Sequence, residues 1–482
     1  MQEQLYKEFI GGLSDVVRKN TKIHSSQFKQ FNVKKGLRNE NGTGVLAGLT
    51  EVGEVHGYEM IDGEKTPTEG CLKYRGIDTK EIVAGFQRDN RRGYEEISYL
   101  LLFGELPNAE ALRKYTEMLG YYRALPEGFT RDMILKAPSK NIMNKLARSV
   151  LAFYSYDENP DETSIENVLR QSIELIARFP TMAAYGYQAM SYYHNNASLH
   201  LHKPDPNLDT AENLLLMIRP DGKYTKTEAD VLDLSLVMHA EHGGGNNSAF
   251  TVRVVSSSGT DSYSAIAAAV GALKGPKHGG ANIKVLDMME NIKENISDWA
   301  DEDEIAWYLT KIMQKEAFDR SGLVYGLGHA VYTLSDPRSV LLKQKAVDLA
   351  QEKGRMDEYN LYCLIEKIAP GVLGKAKNSS KPLPINVDFY SGFVYDMLNI
   401  PRDLCTPLFA ISRISGWCAH RLEELAVNQI IRPAYKSVVS PQKYVPLAER
   451  QPIDSTLPQF VTRREKPSIL DRITKPDDLL AF

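Results

Sequence analysis

One histidine in a glycine-lined loop is the first residue whose surroundings suggest chemistry. It is His278, in the segment KGPKHGGAN. An amphipathic pattern begins at Ala281, so the imidazole lies just before a helix N-terminus, where the helix dipole disfavours the imidazolium form. Lys277 acts in the same direction. A neutral imidazole that donates a hydrogen bond stabilises an oxygen that gains negative charge; the alternative is a loop histidine that only satisfies local hydrogen bonds.

Two more histidines close a helix that begins at a capping box. The segment TKTEADVLDLSLVMHAEHGGGN predicts a helix that starts at Thr225 and Glu228 and ends in three glycines. His239 falls on the apolar face and is predicted to be buried and structural, whereas His242 can be presented to a cleft. The motif H-E-x-x-H and a third ligand cluster are absent from the sequence, so we expect no metal site.

One histidine, one carboxylate and three arginines follow in the C-terminal half. His329 comes after two glycines in GLGHAVYTLSDPR, and Arg338 lies in the first turn of the next predicted helix. In NVDFYSG, Asp388 takes an N-cap-like position, for which capping alone is the alternative explanation. Arg413 sits among apolar neighbours, where an arginine usually has an anion to meet, and Arg432 lies just beyond that helix. Because guanidinium groups grip carboxylates by paired hydrogen bonds, the set is typical of a carboxylate site.

The elements that must position these side chains are almost all helical by pattern. From Tyr94 onward most segments carry apolar residues at i, i+3, i+4 and i+7, among them IENVLRQSIELIARF and PTMAAYGYQAMSYY as separate segments. The glycine-rich stretch from Asn41 to Pro67 is the main candidate for strands or a hairpin. The sequence therefore predicts an all-α, mainly helical protein with a minor β-rich N-terminal segment.

Length, charge and cysteine usage narrow the class of protein. A chain of 482 residues exceeds what one core usually serves, which predicts two domains. The net charge of -4 argues against a nucleic-acid binder and favours small molecules or other proteins as partners. Four scattered cysteines without a C-x-x-C pair are typical of reduced thiols in a cytoplasmic protein. The polar N-terminus resembles no signal peptide, and no apolar run approaches the roughly 18 residues of a membrane span.

Five motifs, taken in order, resemble those of the citrate synthase family. They are HAEHGGGN, GPKHGGAN, GLGHAVYTLSDPR, NVDFYSG and the helix that carries Arg413; LKYRGID, YEEISYLLLFGELP and PTMAAY also resemble its N-terminal segments. The resemblance covers nearly the whole chain. It implies a helical homodimer whose subunits each have a large and a small domain that close over substrate. We expect the large domain at residues 1–278 and 388–482, and the small, CoA-side domain at residues 279–387.

The resemblance also implies an activity: condensation of acetyl-CoA with oxaloacetate and water to give citrate and CoA. Asp388 resembles the base that removes a proton from the acetyl methyl group. His278 resembles the neutral donor that holds the enolate-like oxygen, and His329 the group that polarises the oxaloacetate ketone. Acetyl-CoA is then a co-substrate, and no permanently bound cofactor is expected.

The remaining residues of the pattern match the family's substrate ligands. His242, Arg338 and Arg413 match its oxaloacetate ligands. Arg432 resembles an arginine that the partner subunit supplies, which would make the dimer obligatory.

This sequence departs from the family pattern at three positions. Gly243 stands where many members have an acidic residue, and Lys277 replaces an apolar neighbour of the central histidine. Thr333 lies where members often carry a Lys or Arg that meets CoA phosphates. The loop GKAKNSSKP offers a substitute basic patch, with a solvated loop as the alternative; its lysines are Lys375, Lys377 and Lys381.

Other functions stay open to different degrees. A 2-methylcitrate synthase that uses propanoyl-CoA would share all the motifs, and one methylene discriminates by only ~1–3 kcal/mol. A serine hydrolase would need a G-x-S-x-G elbow, which the chain lacks. A non-catalytic helical binding protein is expected to have lost Asp388, His278 or His329, and all three are present.

Overall fold

Helices dominate the architecture, as the apolar spacing predicts. The structure is a computed structural model of the chain, and it describes residues 2–61, 64–377 and 383–450. These residues form two compact units, one from residues 2–45 and 433–450 and the other from Leu46–Arg432. The domain boundaries expected near residues 278 and 388 both fall inside the second unit, and that division stays a prediction. No helix of the described residues has both the length and the apolar character needed to cross a bilayer.

Seventeen α-helices are present within the described ranges, and they confirm the all-α prediction. In chain order they are α1 (Gln2–Asn20), α2 (Ser25–Gln30), α3 (Thr79–Arg88), α4 (Tyr94–Phe103), α5 (Ala109–Tyr122), α6 (Ile142–Phe153), α7 (Ile165–Asn195), α8 (Thr210–Ile218), α9 (Lys226–His239), α10 (Asn247–Ser256), α11 (Ser262–Lys274), α12 (Ala281–Asn295), α13 (Glu302–Met313), α14 (Pro337–Glu352), α15 (Met356–Lys377), α16 (Val387–Met397) and α17 (Arg402–Val427).

A small antiparallel sheet precedes most of the helices. Strand β1 (Gly53–Ile61) pairs with β2 (Glu64–Tyr74), and the short β3 (Ile77–Asp78) pairs with the end of β2. The register shifts between His56 and Tyr58, which marks an irregularity at the glycine between them. Strands were predicted only as far as Pro67, and β2 runs seven residues further. The pattern signal was weak there because EGCLKY lacks a regular alternation of apolar and polar residues.

The core of the second unit is built around α17, which packs against α4, α7, α9, α10 and α11. Its Trp417 is fully buried. Against expectation, α7 is one helix of 31 residues that continues through Pro180. Proline lacks an N–H and usually ends or kinks a helix, but here the turns on both sides of Pro180 are buried, and this packing holds them in one helix.

Local capping places the ends of the site helices. The predicted capping box of α9 is present, with Thr225 and Glu228 as its partners. Asp336 caps α14 with Pro337 at the first position, and Asp261 caps α11. The cap of α16 is Asn386, whose side chain accepts the N–H of Asp388, so the predicted N-cap-like position of that aspartate is wrong. The Asp388 carboxylate is therefore not occupied by capping.

Candidate active site

His242 follows the C-terminus of α9 and turns into the interior of the second unit. The chain leaves α9 through Gly243, whose φ of 82° is a left-handed conformation that glycine adopts without strain. The His242 Nε2 atom is buried and has no hydrogen-bond partner among the described residues. Burial, with the charge of Arg338 next in importance, holds the His242 pKa well below its usual range. The ring is therefore neutral and presents one unpaired polar atom.

The loop before α14 fixes the tautomer of His329. The backbone N–H groups of Val331 and Tyr332 donate to His329 Nδ1 at 3.0 and 2.9 Å. Because Nδ1 accepts hydrogen bonds, the proton of a neutral ring is on Nε2. Nε2 lies 3.5 Å from Arg338 Nη2, which is also a donor. These two donors are close enough together to bind the same acceptor oxygen.

Arg338 is buried and held rigidly by the residue that caps its own helix. Asp336 accepts from Arg338 Nε at 3.0 Å and from Nη2 at 2.7 Å. The same carboxylate accepts the backbone N–H of Val387 at 3.0 Å, which ties the start of α14 to the start of α16. Only 4% of the surface of Arg338 is accessible to solvent.

Arg413 is the second buried guanidinium, and it has no direct carboxylate partner in the described part of the chain. Its Nε donates to the backbone carbonyl of His239 at 2.5 Å, while Nη1 is buried without a partner. Burial lowers the Arg413 pKa, and the charge of Glu241 opposes this effect. A buried cation with an unpaired donor indicates an anionic ligand, because leaving such a donor unmet is costly.

Three rings line the space beside these arginines. The His242 and His329 ring centroids are 5.3 Å apart, and Tyr332 stacks on His329 at 4.4 Å. The guanidinium of Arg338 lies 5.7 Å from the Tyr332 ring centroid. The Tyr332 hydroxyl is buried and unpartnered among the described residues. Sequence reasoning missed Tyr332. It follows His329 by three residues, a spacing at which a turn brings two side chains together, and this could have indicated their contact.

The candidate base is the carboxylate of Asp388, in the first turn of α16. Burial raises the Asp388 pKa to about 6; the charge of Arg338 opposes the rise and that of Asp336 adds to it. A carboxylate with a raised pKa is a stronger base than an exposed one, and it is still mostly ionised at neutral pH. The carboxylate is close enough to Arg338 for each charge to affect the other's pKa.

His278 is neutral for reasons that differ in part from those expected. Burial is the main cause that lowers its pKa to about 4, and the charge of Arg413 adds to the effect. Lys277, which was expected to contribute, lies exposed at the surface. The ring Nε2 is 3.0 Å from the Ser248 hydroxyl, which also accepts from Trp417 Nε1 at 3.1 Å. Ser248 is a second residue that the sequence did not single out.

A series of buried ionisable side chains in contact with one another supports the segment that contains His242. The Glu241 carboxylate lies 3.0 Å from His420 Nε2, and Arg253 Nη2 lies 2.8 Å from the other ring nitrogen. Arg253 Nη1 also donates to Glu424 at 2.9 Å. His239, two residues before Glu241, is buried as predicted and stacks on Phe409. These contacts lock the end of α9 against α17.

Six of the predicted site residues thus form one cluster. The charges of Arg338 and Arg413 act on the pKa values of His242, His278 and Asp388, and His329 Nε2 lies 3.5 Å from Arg338 Nη2. Arg432 is exposed beyond α17. Lys375 is exposed near the end of α15. The side chain of Lys377, and all of Lys381, lie outside the described residues.

Comparison with known proteins identifies relatives along most of the chain. A family model described as citrate synthase, C-terminal domain, matches residues 41–434. The citrate synthase of Synechocystis sp. is 34% identical over 397 residues, which cover 81% of this chain and 90% of that protein. The 2-methylcitrate synthase 1 of Corynebacterium glutamicum is 32% identical over 427 residues, covering 87% of this chain and 98% of that protein.

Solved structures agree with this assignment. The citrate synthase of Pyrobaculum aerophilum has a TM-score of 0.68 and 28% identity, covering 84% of this chain and 94% of that one. A Thermoplasma acidophilum citrate synthase, solved as a ternary complex with carboxymethyl coenzyme A and oxaloacetate, has a TM-score of 0.69 and 26% identity, covering 86% of this chain and 98% of that one. With a family model that spans more than half of its residues, the chain belongs to the citrate synthase family and is an enzyme of the acyltransferase type.

Proposed function

We propose that this enzyme condenses acetyl-CoA with oxaloacetate and water to give citrate and CoA. The observation that carries the proposal is a pair of buried guanidiniums, of which Arg338 acts electrostatically on the Asp388 carboxylate and Arg413 on the His278 imidazole. A dianionic 2-oxo acid needs fixed cations, and Arg338 and Arg413 supply two. Asp388 and His278 supply the base and the donor that enolisation of a thioester needs.

The reaction begins when Asp388 takes a proton from the acetyl methyl group. The electron pair of the broken C–H bond moves toward the thioester oxygen, and His278 donates a hydrogen bond to that oxygen. The Ser248 hydroxyl lies 3.0 Å from His278 Nε2, and this contact fixes the orientation of the ring. The methyl carbon next attacks the oxaloacetate ketone carbon, while His329 Nε2 polarises the ketone oxygen. Water then cleaves the C–S bond of citryl-CoA, and CoA leaves as the thiol.

Oxaloacetate would be held between the two arginines and the two adjacent histidines. Arg413 Nη1 and His242 Nε2 are buried polar atoms without partners among the described residues, so a carboxylate and a polarised oxygen would satisfy them. Arg338 Nη2 and His329 Nε2 lie 3.5 Å apart, and both would donate to a second acceptor oxygen of oxaloacetate. A closed cleft would keep water from the enolate until the carbon–carbon bond has formed.

The second candidate is a 2-methylcitrate synthase that uses propanoyl-CoA. It is favoured by the identity of 32% to a named 2-methylcitrate synthase, which is close to the values for named citrate synthases. Release of CoA thiol by purified protein, with oxaloacetate and either acyl-CoA at matched concentrations, separates the two. A larger kcat/KM for acetyl-CoA supports the proposal, a larger value for propanoyl-CoA supports the alternative, and no thiol from either contradicts both.

The pH dependence of turnover is expected to report Asp388. The base works only when ionised, and its pKa is raised to about 6, so kcat should be flat above pH 7. Below pH 6 it should fall about tenfold per unit, because each unit protonates tenfold more of the carboxylate. The His278 pKa of about 4 places the loss of neutral imidazole at lower pH. Stopped assays from pH 5 to 8.5 check the profile, and a kcat that stays constant down to pH 5 would rule out this assignment.

Arg432 is proposed to complete the site of a partner subunit in a homodimer. Its position in an exposed segment beyond α17 is compatible with donation to a second copy. Arg432→Ala is expected to raise the KM for oxaloacetate at least tenfold while the dimer persists. Mixing Arg432→Ala and Asp388→Asn subunits at equal amounts should then restore about a quarter of the wild-type activity, because half of the dimers gain one intact site. No recovery in dimers shown to have exchanged subunits would place Arg432 in its own subunit's site.

The CoA phosphates are proposed to meet the basic segment GKAKNSSKP. Lys375 is exposed at its start, as a residue that binds a phosphate at the protein surface should be. We also propose a cytoplasmic location, which is supported by the four free cysteines of the structure.

A further inference from the structure

The hairpin of β1 and β2 grips the loop that carries His329 and Arg338. The Thr333 hydroxyl donates to the Gly57 carbonyl, with the Thr68 carbonyl 3.3 Å away. Two residues further on, the Ser335 hydroxyl donates to Glu69, and Ser335 accepts the N–H of Gly70 at 3.3 Å. The loop is thus fastened to both strands between its two functional residues.

The same hairpin packs on the segment that carries His242. A Cβ added at Gly53 would lie 2.7 Å from Glu241 Cγ, and one added at Gly243 would lie 3.3 Å from Val55 Cγ2. The start of β1 therefore touches the residues on either side of His242. One small sheet is in contact with both segments that supply the imidazoles.

Two glycines make the close approach to the loop possible. A Cβ at Gly57 would lie 2.6 Å from Tyr332 Cα, a backbone atom that cannot rotate away. A Cβ at Gly70 would lie 2.8 Å from Pro337 Cδ and would also overlap the Ser335 carbonyl. Gly57 also occupies the register irregularity of β1. The hairpin backbone and the loop backbone are in direct contact, so a change in one moves the other.

We propose that the β1–β2 hairpin is the platform that positions His242, His329 and Arg338 for oxaloacetate, with Thr333 as its main positioning residue. The inference rests on the proposed oxaloacetate site. It assigns Thr333 a role other than contact with CoA phosphates, because the hydroxyl is already used on the hairpin carbonyl. Positioning of this kind affects the affinity for oxaloacetate more than the affinity for the acyl-CoA.

Calorimetric binding of oxaloacetate to the full-length wild type and Thr333 variants tests the proposal. Thr333→Val removes the hydroxyl at nearly constant shape and should weaken oxaloacetate binding roughly five- to tenfold, as expected for one lost hydrogen bond. Thr333→Ser should restore most of the affinity. The matched control is Thr310→Val on α13, where the hydroxyl donates to the Ala306 carbonyl and no effect on binding is expected. Unchanged oxaloacetate binding in a folded Thr333→Val protein overturns the inference.

Kinetics separate this role from the CoA contact. If Thr333 acts through the hairpin, Thr333→Val raises the KM for oxaloacetate equally with acetyl-CoA and with acetyl-dephospho-CoA. A rise in the acyl-CoA KM that disappears with the dephospho substrate would instead show a phosphate contact and overturn the proposal. Wild-type protein that binds no oxaloacetate would contradict the proposed function itself, a result distinct from either.

Gly57→Ala is the second variant, and it disturbs the contact between hairpin and loop by added volume and not by loss of a hydrogen bond. The added methyl group should displace the Tyr332 backbone and raise the oxaloacetate KM at least tenfold. Gly85→Ala on α3, where a Cβ meets nothing within 4 Å, is the control. Gly57→Ala protein with a wild-type circular dichroism spectrum and a wild-type KM would contradict the platform role.

Discussion

Replacing Asp388 by asparagine is expected to reduce kcat by roughly 10²–10⁴-fold, the usual contribution of a positioned general base. The amide keeps the shape of the side chain but cannot take the proton of the acetyl methyl group. Oxaloacetate binding should change little, because the carboxylate makes no described hydrogen bond to the arginines. Thiol release under saturating substrates measures the loss, and calorimetry measures the binding.

Stability should change in the opposite direction to activity. The folded-state Asp388 pKa of about 6 exceeds the ordinary aspartate value of 3.8, so ionisation costs stability above the unfolded pKa, and the cost grows until the pH passes 6. Asp388→Asn should therefore stabilise the protein by up to about 3 kcal/mol at pH 8 and by nothing below pH 4. Asp396→Asn, on the same helix, is the control: its carboxylate pairs with Arg355 near the surface, and activity should persist. Turnover of Asp388→Asn within a few-fold of wild type would exclude Asp388 as the base.

Arg413→Met is expected to abolish most oxaloacetate affinity, with a rise in Kd of about 100-fold, which is about 2.7 kcal/mol. The substitution removes the buried donor Nη1, which has no partner among the described residues, while it retains most of the side-chain volume. The thermal midpoint should stay near the wild-type value, because the lost bond to the His239 carbonyl is offset by relief of an unpaired buried charge. Equilibrium binding and thermal unfolding of the same sample check both statements.

A second buried arginine on α17 provides a matched control. Arg421 lies eight residues further on and is 1% exposed. Its guanidinium donates to the Ser262 hydroxyl at 3.0 Å, the Ser256 hydroxyl at 3.2 Å and the Thr260 carbonyl at 2.8 Å. Arg421→Met should lower the thermal midpoint and leave oxaloacetate affinity intact. If both variants lost stability and affinity alike, Arg413 would be a structural residue and not an anion ligand.

Local rules predicted the helices and several of their ends from the sequence. Capping of α9 by Thr225 depends on a few adjacent residues, and it was predicted correctly. Continuation of α7 through Pro180 was not predicted, because it depends on packing against distant helices. The cap of α16 was misplaced by two residues, since asparagine and aspartate both cap well and lie close together in INVD.

The candidate site was predictable as a set of residue types and unpredictable as an arrangement. Histidines beside glycines and an arginine among apolar residues were visible in the sequence. Their neighbours were not: Ser248 reaches His278 across 30 positions, and Thr333 reaches Gly57 across 276. Nor does the sequence contain the tautomer of His329, which is set by two backbone N–H groups of a folded loop.

The buried chain of Glu241, His420, Arg253 and Glu424 limits how this protein can evolve. Replacing Arg253 alone leaves the buried Glu424 carboxylate without its cation, which is far more destabilising than replacing the whole set with apolar residues. Substitutions at these positions should therefore be strongly epistatic, with acceptable variants reached only by joint changes. Since Glu241 adjoins His242, the oxaloacetate side of the site is expected to drift slowly, and divergence between acyl-CoA specificities must come from elsewhere in the cleft.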